Sequence, residues 1–156
     1  MMIELISDIG MISAIVYLLL ILYIAIGIIR TKPGLTDVQP SVSVVISAHN
    51  ESQNIGKCLN TILSQNYSPH KLEIIVVNDR SEDNTGLILE KYMNDYSQIQ
   101  IITINEVKHG ISPKKNAITQ GVNIATGDII ATTDADCEAS EDWIKKMVPY
   151  FTNETG

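Results

Sequence analysis

Basic residues are scarce in this sequence, cysteines scarcer, and two familiar phosphate-binding motifs are missing altogether. Lys and Arg number 11 against 18 Asp and Glu, giving a net charge of −7 at pH 7. An acidic chain repels a polyanionic backbone at long range, so the composition gives no support to nucleic acid as a ligand. Cys58 and Cys137 are the only cysteines. Neither belongs to a C-x-x-C and no histidine stands at zinc-ligand spacing nearby, which excludes a local zinc site. Both read as reduced thiols serving as small buried side chains. No G-x-G-x-x-G follows the first apolar run and no G-x-x-x-x-G-K-[ST] occurs anywhere. A bound phosphate must therefore be neutralised by something other than a glycine-rich cradle. Internal repeats and low-complexity tracts are also absent outside one long apolar run.

That run is the first feature actually present. With 156 residues the chain has room for one domain and an appendage. No charge interrupts Ile9 to Ile29, a stretch that as a helix reaches about 31 Å, the thickness of a bilayer's hydrocarbon core. A cleaved signal peptide would carry a basic n-region, whereas Glu4 and Asp8 stand here, and its apolar core would be only about 7 to 15 residues long. The expectation is a single-pass transmembrane anchor over residues 1–30. Arg30 and Lys32 follow the span and no Lys or Arg precedes it, so the positive-inside rule places the rest of the chain in the cytoplasm, in agreement with unpaired thiols. Residues 31–41, with Pro33, Gly34 and Pro40, read as a linker.

From residue 42 onward, short β-branched runs alternate with helical spacing. Val42–Ile46, Leu72–Val77, Ile99–Ile104 and Ile129–Thr133 predict strands buried on both faces. Between them, Ile55, Cys58, Leu59, Ile62 and Leu63 share one helical face, followed by Leu87, Ile88, Leu89 and Tyr92, and by Ala117, Ile118, Gly121, Val122 and Ala125. A fourth stretch carries Trp143, Ile144, Met147 and Val148. Ser112 before Pro113, and Ser140 before Glu141 and Asp142, predict helix starts. Strand then helix, four times over, predicts an α/β fold with a parallel β-sheet and helices on both faces. In such sheets ligands bind beyond the carboxyl ends of the strands.

Polar residues collect at those ends: Ser47, His49, Asn50 and Glu51 after the first run, Asn78 to Asp83 after the second, and Asp134-Ala135-Asp136 after the fourth. A D-x-D at a strand end suits Mg²⁺ or Mn²⁺, hard cations that bridge one or two carboxylates to substrate phosphates. On spacing alone the same triplet is more often a solvated turn. Asp79 is placed to accept from a nucleobase N–H or to cap a turn.

Taken together, these segments resemble the family-2 glycosyltransferases of the GT-A (Rossmann-like) fold. Val42 to Glu51 is similar to that family's opening strand and its Tyr-Asn-Glu turn, and Asn78 to Thr85 to its Asp-Asp-Gly-Ser-x-Asp-x-Thr turn. Lys114, Ala117, Ile118 and Gly121 match a Lys-x-x-Ala-Leu-Asn-x-Gly helix, and Ala125-Thr126-Gly127-Asp128 leads into the D-x-D. The resemblance implies a nucleotide-diphosphate sugar as donor, UDP-linked, a divalent cation (Mn or Mg) and inversion at the anomeric carbon. By position, Glu51 and Asp79 would contact the nucleoside, with Ser47 and His49 beside them. Asp134 would reach the ribose or sugar and share the metal with Asp136, and Lys114 would lie near the donor. The departures are His49 for Tyr, Asn78 and Arg80 for Asp and Gly, and Thr119 for Asn. His49 reads as a partly buried strand-end histidine.

Inversion needs a general base for the acceptor hydroxyl. The family's base comes well after the D-x-D, and here only Glu138, Glu141, Asp142 and Glu154 follow, none at the expected place. The expectation is a donor-binding portion over 42–156, incomplete at its C-terminus, with no base assigned and the acceptor unknown. The alternative is a nucleotide-binding or interaction module without transferase activity. A phosphohydrolase using Asp134 is disfavoured, because such enzymes carry the D-x-D after the first core strand.

Overall fold

The computed structural model describes residues 2–30, 39–106 and 110–151, with side chains from residue 8 onward. The chain divides into two compact units, 1–34 and 35–156. Most of the expected linker, and Glu154, lie outside the described residues.

The first unit is one helix, α1 (Met2–Arg30). Its stretch Asp8–Arg30 is long and apolar enough to cross a membrane, and Arg30 closes its last turn.

The second unit is built on four parallel strands, β1 (Val42–Ala48), β2 (Leu72–Asp79), β3 (Ile99–Ile104) and β4 (Ile129–Asp134), in the order β3-β2-β1-β4. The central pair explains the continuous apolar runs: Val42, Val44, Val45 and Ile46 of β1, and Ile74 to Val77 of β2, are all fully buried. Residues of alternating parity face opposite layers. Val42, Val44, Ile46, Ile74 and Val76 pack with α2 (Ile55–Leu63), α3 (Thr85–Asp95) and α5 (Trp143–Met147), while Val45, Ile75 and Val77 meet α4 (Pro113–Ile124). The sheet is thus covered on both faces, as the alternation predicts.

Each strand was expected to stop where its apolar run stops, yet β1, β2 and β4 continue to Ala48, Asp79 and Asp134. The ladder registers Ser47 with Asp134, Ala48 with Asn78, and Asp79 with Ile104. The polar end residues are therefore held by the sheet itself, because backbone pairing between parallel neighbours does not depend on side-chain polarity.

The helices follow their sequence signals with two corrections. In α2 the i, i+3, i+4, i+7 stripe of Ile55, Cys58, Leu59 and Ile62 is buried. In α4 the Ser112 side chain accepts from the Lys115 N–H, with Pro113 in the first turn, as expected. In α3, however, Leu87 is 68% exposed. The buried face runs through Thr85 and Leu89, with Ile88 and Tyr92 packed at its edge, because Leu87 falls outside that i, i+4 stripe. Ser140 does not cap α5, whose N-cap is Asp142. The buried Gln65 side chain donates to the Ser140 carbonyl at 2.7 Å and accepts from Ile144 N–H at 3.0 Å, so a tertiary contact replaces the local cap.

At Gly121 α4 lies close against the sheet. A Cβ there would lie 2.4 Å from Val45 Cγ1 and 3.2 Å from Val77 Cγ2, so only glycine permits this separation.

Candidate functional site

The strand order reverses between β1 and β4. β2 and β3 follow β1 on one side, and β4 lies on the other. In open α/β sheets a crevice forms outside the carboxyl ends at such a point. A cavity of about 450 Å³ lies there, lined from β1 and its loop by Ser47, His49 and Glu51, from β2 and its loop by Asp79 and Arg80, from α4 by Lys114, and from β4 and its loop by Asp134 and Asp136. All seven residues singled out in the sequence thus converge on one cavity, and Arg80 joins them.

Asp79 is the deepest polar group, 5% exposed. The Arg80 guanidinium grips both its oxygens, Nε at 2.8 Å and Nη2 at 3.0 Å, and this pairing holds its carboxyl below the usual carboxylate range. Asp79 is therefore an ionised, acceptor-only group in the floor of the cavity. The His49 ring is exposed, not partly buried as expected. Its Nδ1 lies 2.6 Å from the Asp79 carbonyl oxygen, to which Nδ1–H donates, and its Nε2 lies 3.4 Å from Asn50 Nδ2.

On the opposite wall Lys114 Nζ lies 2.8 Å from Asp134 Oδ2, and this carboxylate raises the lysine's pKa. Both side chains are about half exposed or more, so the pair is a readily exchanged surface contact. Cys58, buried beneath, donates to the Asp134 carbonyl at 3.6 Å, and burial pushes its thiol up to about 12. The expectation of an inert buried thiol holds for Cys58. Cys137 is exposed instead, because it stands on the turn that closes with its N–H on the Asp134 carbonyl at 3.2 Å.

Among the described residues, no three or more His, Cys, Asp or Glu side chains gather into a cage for a metal ion. Asp134 and Asp136 on one rim fit a different arrangement, in which a hard cation takes one or two carboxylates and completes its shell with substrate phosphates and water.

Sequence reasoning missed the clasp that shapes the mouth of the cavity. The loops after β1 and β2 are tied together by Asn50 N–H to Ser81 Oγ at 3.0 Å, Glu82 N–H to Asn50 Oδ1 at 2.8 Å, Glu51 N–H to Thr85 Oγ1 at 2.8 Å and Ser52 N–H to Asp83 Oδ2 at 3.0 Å. The Thr85 hydroxyl donates to Asp83 and holds its carboxyl well below the usual range. Glu51 is fixed here too, its carboxylate accepting from Asn54 Nδ2 at 2.9 Å. The signal was the density of Asn, Ser, Asp and Thr in both loops, residues whose short side chains bond backbone groups. Two loop residues take left-handed backbone, Asn50 at φ 56° and Arg80 at φ 53°.

A switch-point cavity lined by carboxylates, Arg80 and Lys114, at the carboxyl ends of a parallel sheet covered on both faces, defines an α/β protein of the doubly covered class. Residues 43–156 match the model of glycosyl transferase family 2, and the chain belongs to that family. Glycosyltransferase AglE of Haloferax volcanii is 33% identical over 114 residues, 73% of this chain and 36% of that protein. Beta-monoglucosyldiacylglycerol synthase of Synechocystis sp. is 30% identical, over 74% of this chain and 24% of its own length. Among solved structures, mannosyltransferase PcManGT from Pyrobaculum calidifontis, in complex with GDP-Man and Mn²⁺, superposes with a TM-score of 0.70 at 24% identity, covering 86% of this chain and 40% of that one. S. aureus TarS 1-349, in complex with UDP-GlcNAc, gives 0.58 at 26% identity over 69% of this chain and 30% of its own. The chain spans about a third or less of the length of these curated relatives.

Proposed function

We propose that this chain is the donor-binding portion of a membrane-anchored, inverting glycosyltransferase that takes its sugar from a nucleotide diphosphate in the presence of Mn²⁺ or Mg²⁺. The observation that carries this reading is the convergence of Asp79, Lys114, Asp134 and Asp136 on the switch-point cavity. The names of the bound neighbours, GDP-Man with Mn²⁺ and UDP-GlcNAc, supply the ligand class.

In this reading each residue has a distinct task. Asp79, ionised and buried, accepts from a base N–H. Glu51 lies on the same side of the cavity, within reach of the nucleoside, with Ser47 and His49 beside it. Asp136, with Asp134, holds the cation, which supplies charge neutralisation to the diphosphate as it leaves. Lys114 exchanges Asp134 for the donor's negative charge, at little cost because the ion pair is solvated. No residue is assigned as the base. Glu138 and Glu141 are exposed, and Asp142 accepts from Asn66 Nδ2 at 2.9 Å.

Titration calorimetry of the chain in detergent micelles with UDP- and GDP-sugars, with and without Mn²⁺, tests the reading. Binding is expected to require the cation and to weaken about tenfold or more in Asp136→Asn, since each tenfold corresponds to only about 1.4 kcal/mol. Cation-independent binding, or full affinity in the variant, would sink it. The anchor and its orientation rest on α1 and Arg30.

A further inference from the structure

We infer that Arg80 is a positioning residue for the donor's base: it fixes the Asp79 carboxylate in the orientation from which it accepts a nucleobase ring N–H. The inference rests on the nucleotide-sugar reading and deepens it at one end of the site.

Three observations carry it. Arg80 lines the switch-point cavity, its side chain 27% exposed while that of Asp79 beside it is 7% exposed. It grips both carboxylate oxygens in a fork, at 2.8 and 3.0 Å, a geometry that a point charge such as lysine does not reproduce. And it does so from φ 53°, a backbone region that non-glycine residues enter at a cost and that collects at functional sites. Glycine would form this turn without strain. The Arg80 N–H bond to the Ile104 carbonyl, 3.0 Å long, needs no side chain, so glycine would retain it. What only arginine contributes is the guanidinium.

The fork takes one acceptor site on each oxygen, so the Asp79 carboxylate, which lines the cavity, keeps a further acceptor site on each. Beside them the guanidinium offers N–H groups. That edge, acceptor next to donor, matches a ring N–H next to a carbonyl, as uracil and guanine present it.

Arg80→Gly is the decisive variant, because it removes the guanidinium and relieves the backbone. The chain in micelles with Mn²⁺ is titrated with whichever of UDP or GDP it binds, with the analogue methylated on the ring nitrogen (N3-methyl-UDP or N1-methyl-GDP), and with inorganic diphosphate. In the parent, methylation is expected to weaken binding by about tenfold or more, the worth of one hydrogen bond to a buried charged group. In Arg80→Gly the unmodified nucleotide binds about tenfold more weakly, methylation matters by less than about threefold, and diphosphate binds as in the parent. An unchanged methylation penalty in the variant overturns the inference, as does an equal loss of diphosphate and nucleotide, which would mark a structural role. If the parent binds neither nucleotide, the functional reading falls and this inference with it.

Discussion

Gly121 and Thr85 are the residues whose replacement separates packing from polar positioning. The methyl of Gly121→Ala would meet Val45 Cγ1 at 2.4 Å on a fully buried residue. Side chains anchored in a β-strand cannot retreat, so α4 must shift, and overpacking of this kind costs about 1–3 kcal/mol. Urea unfolding of the chain in micelles should show that loss at an unchanged m-value; a neutral variant would mean that α4 moves freely over the sheet. Thr85→Val keeps the volume and removes the hydroxyl. Thr85 is fully buried, accepts from Glu51 N–H at 2.8 Å and donates to Asp83. Stranding the part-buried Glu51 N–H costs up to about 1–3 kcal/mol, the range for a fully buried group, and the same unfolding experiment reads it. Both roles trace to sequence with unequal ease. Gly121 stands on an apolar stripe, where spacing places it against the sheet. Thr85 is marked in the sequence only as the last residue of the Asn78–Thr85 turn, and its bond to Glu51 N–H becomes visible only when the first loop is seen beside it. Arg80 was visible only as an irregularity, since neither its positive φ nor its fold back onto Asp79 follows from residue type.

At the scale of elements, the two loops act as one unit because each spends side chains on the other's backbone. Asp83 is the pivot, accepting from Ser52 N–H at 3.0 Å, from Thr85 N–H at 2.9 Å and from the Thr85 hydroxyl. Its carboxyl and that of Asp79 are both held below their ordinary value, Asp83 chiefly by Thr85 and Asp79 chiefly by Arg80. A lowered folded-state value contributes stability that is fully present above the unfolded aspartate's pKa of about 3.9 and is lost as the pH falls through the folded value. The expectation is a plateau from neutral pH down to about 5 and a steep decline below about 4. Asp83→Asn should be less stable than the parent at pH 7, and the gap should close as the pH approaches 2; a gap of constant size would show that the loss is steric. The strands themselves were legible because their β-branched runs are buried on both faces. Their true ends were not, since the ladder carries Asn78, Asp79 and Asp134 on by backbone pairing alone. That extension sets the site, placing Asp134 level with Ser47 and both beside the reversal in strand order.

For the whole molecule, the proposed anchor and its orientation can be tested with a reporter that the chain itself carries. Of its two thiols, Cys58 is buried and pushed up to about 12 by that burial, while Cys137 is exposed beside the D-x-D turn. Thiolate, not thiol, reacts with a maleimide, and a buried thiol is shielded besides. Labelling of the folded chain is therefore expected at Cys137 alone, with Cys137→Ser as the blank. α1 ends at Arg30, and no Lys or Arg stands earlier in it; for a helix that spans, the positive-inside rule expects the 35–156 unit on the cytoplasmic side. On that side a reducing milieu would keep Cys137 unpaired. In cells making the chain, a membrane-impermeant maleimide should leave Cys137 unmodified until the membrane is opened, and alkaline washing should leave the chain in the membrane fraction. Leu20→Arg places a charge near the middle of the span at about 2.5–3.5 kcal/mol and should shift the chain toward the soluble fraction. Labelling of Cys137 in intact cells would reverse the orientation, and release of the parent by alkali would remove the anchor while leaving the nucleotide-binding reading of the switch-point cavity to stand on its own titrations.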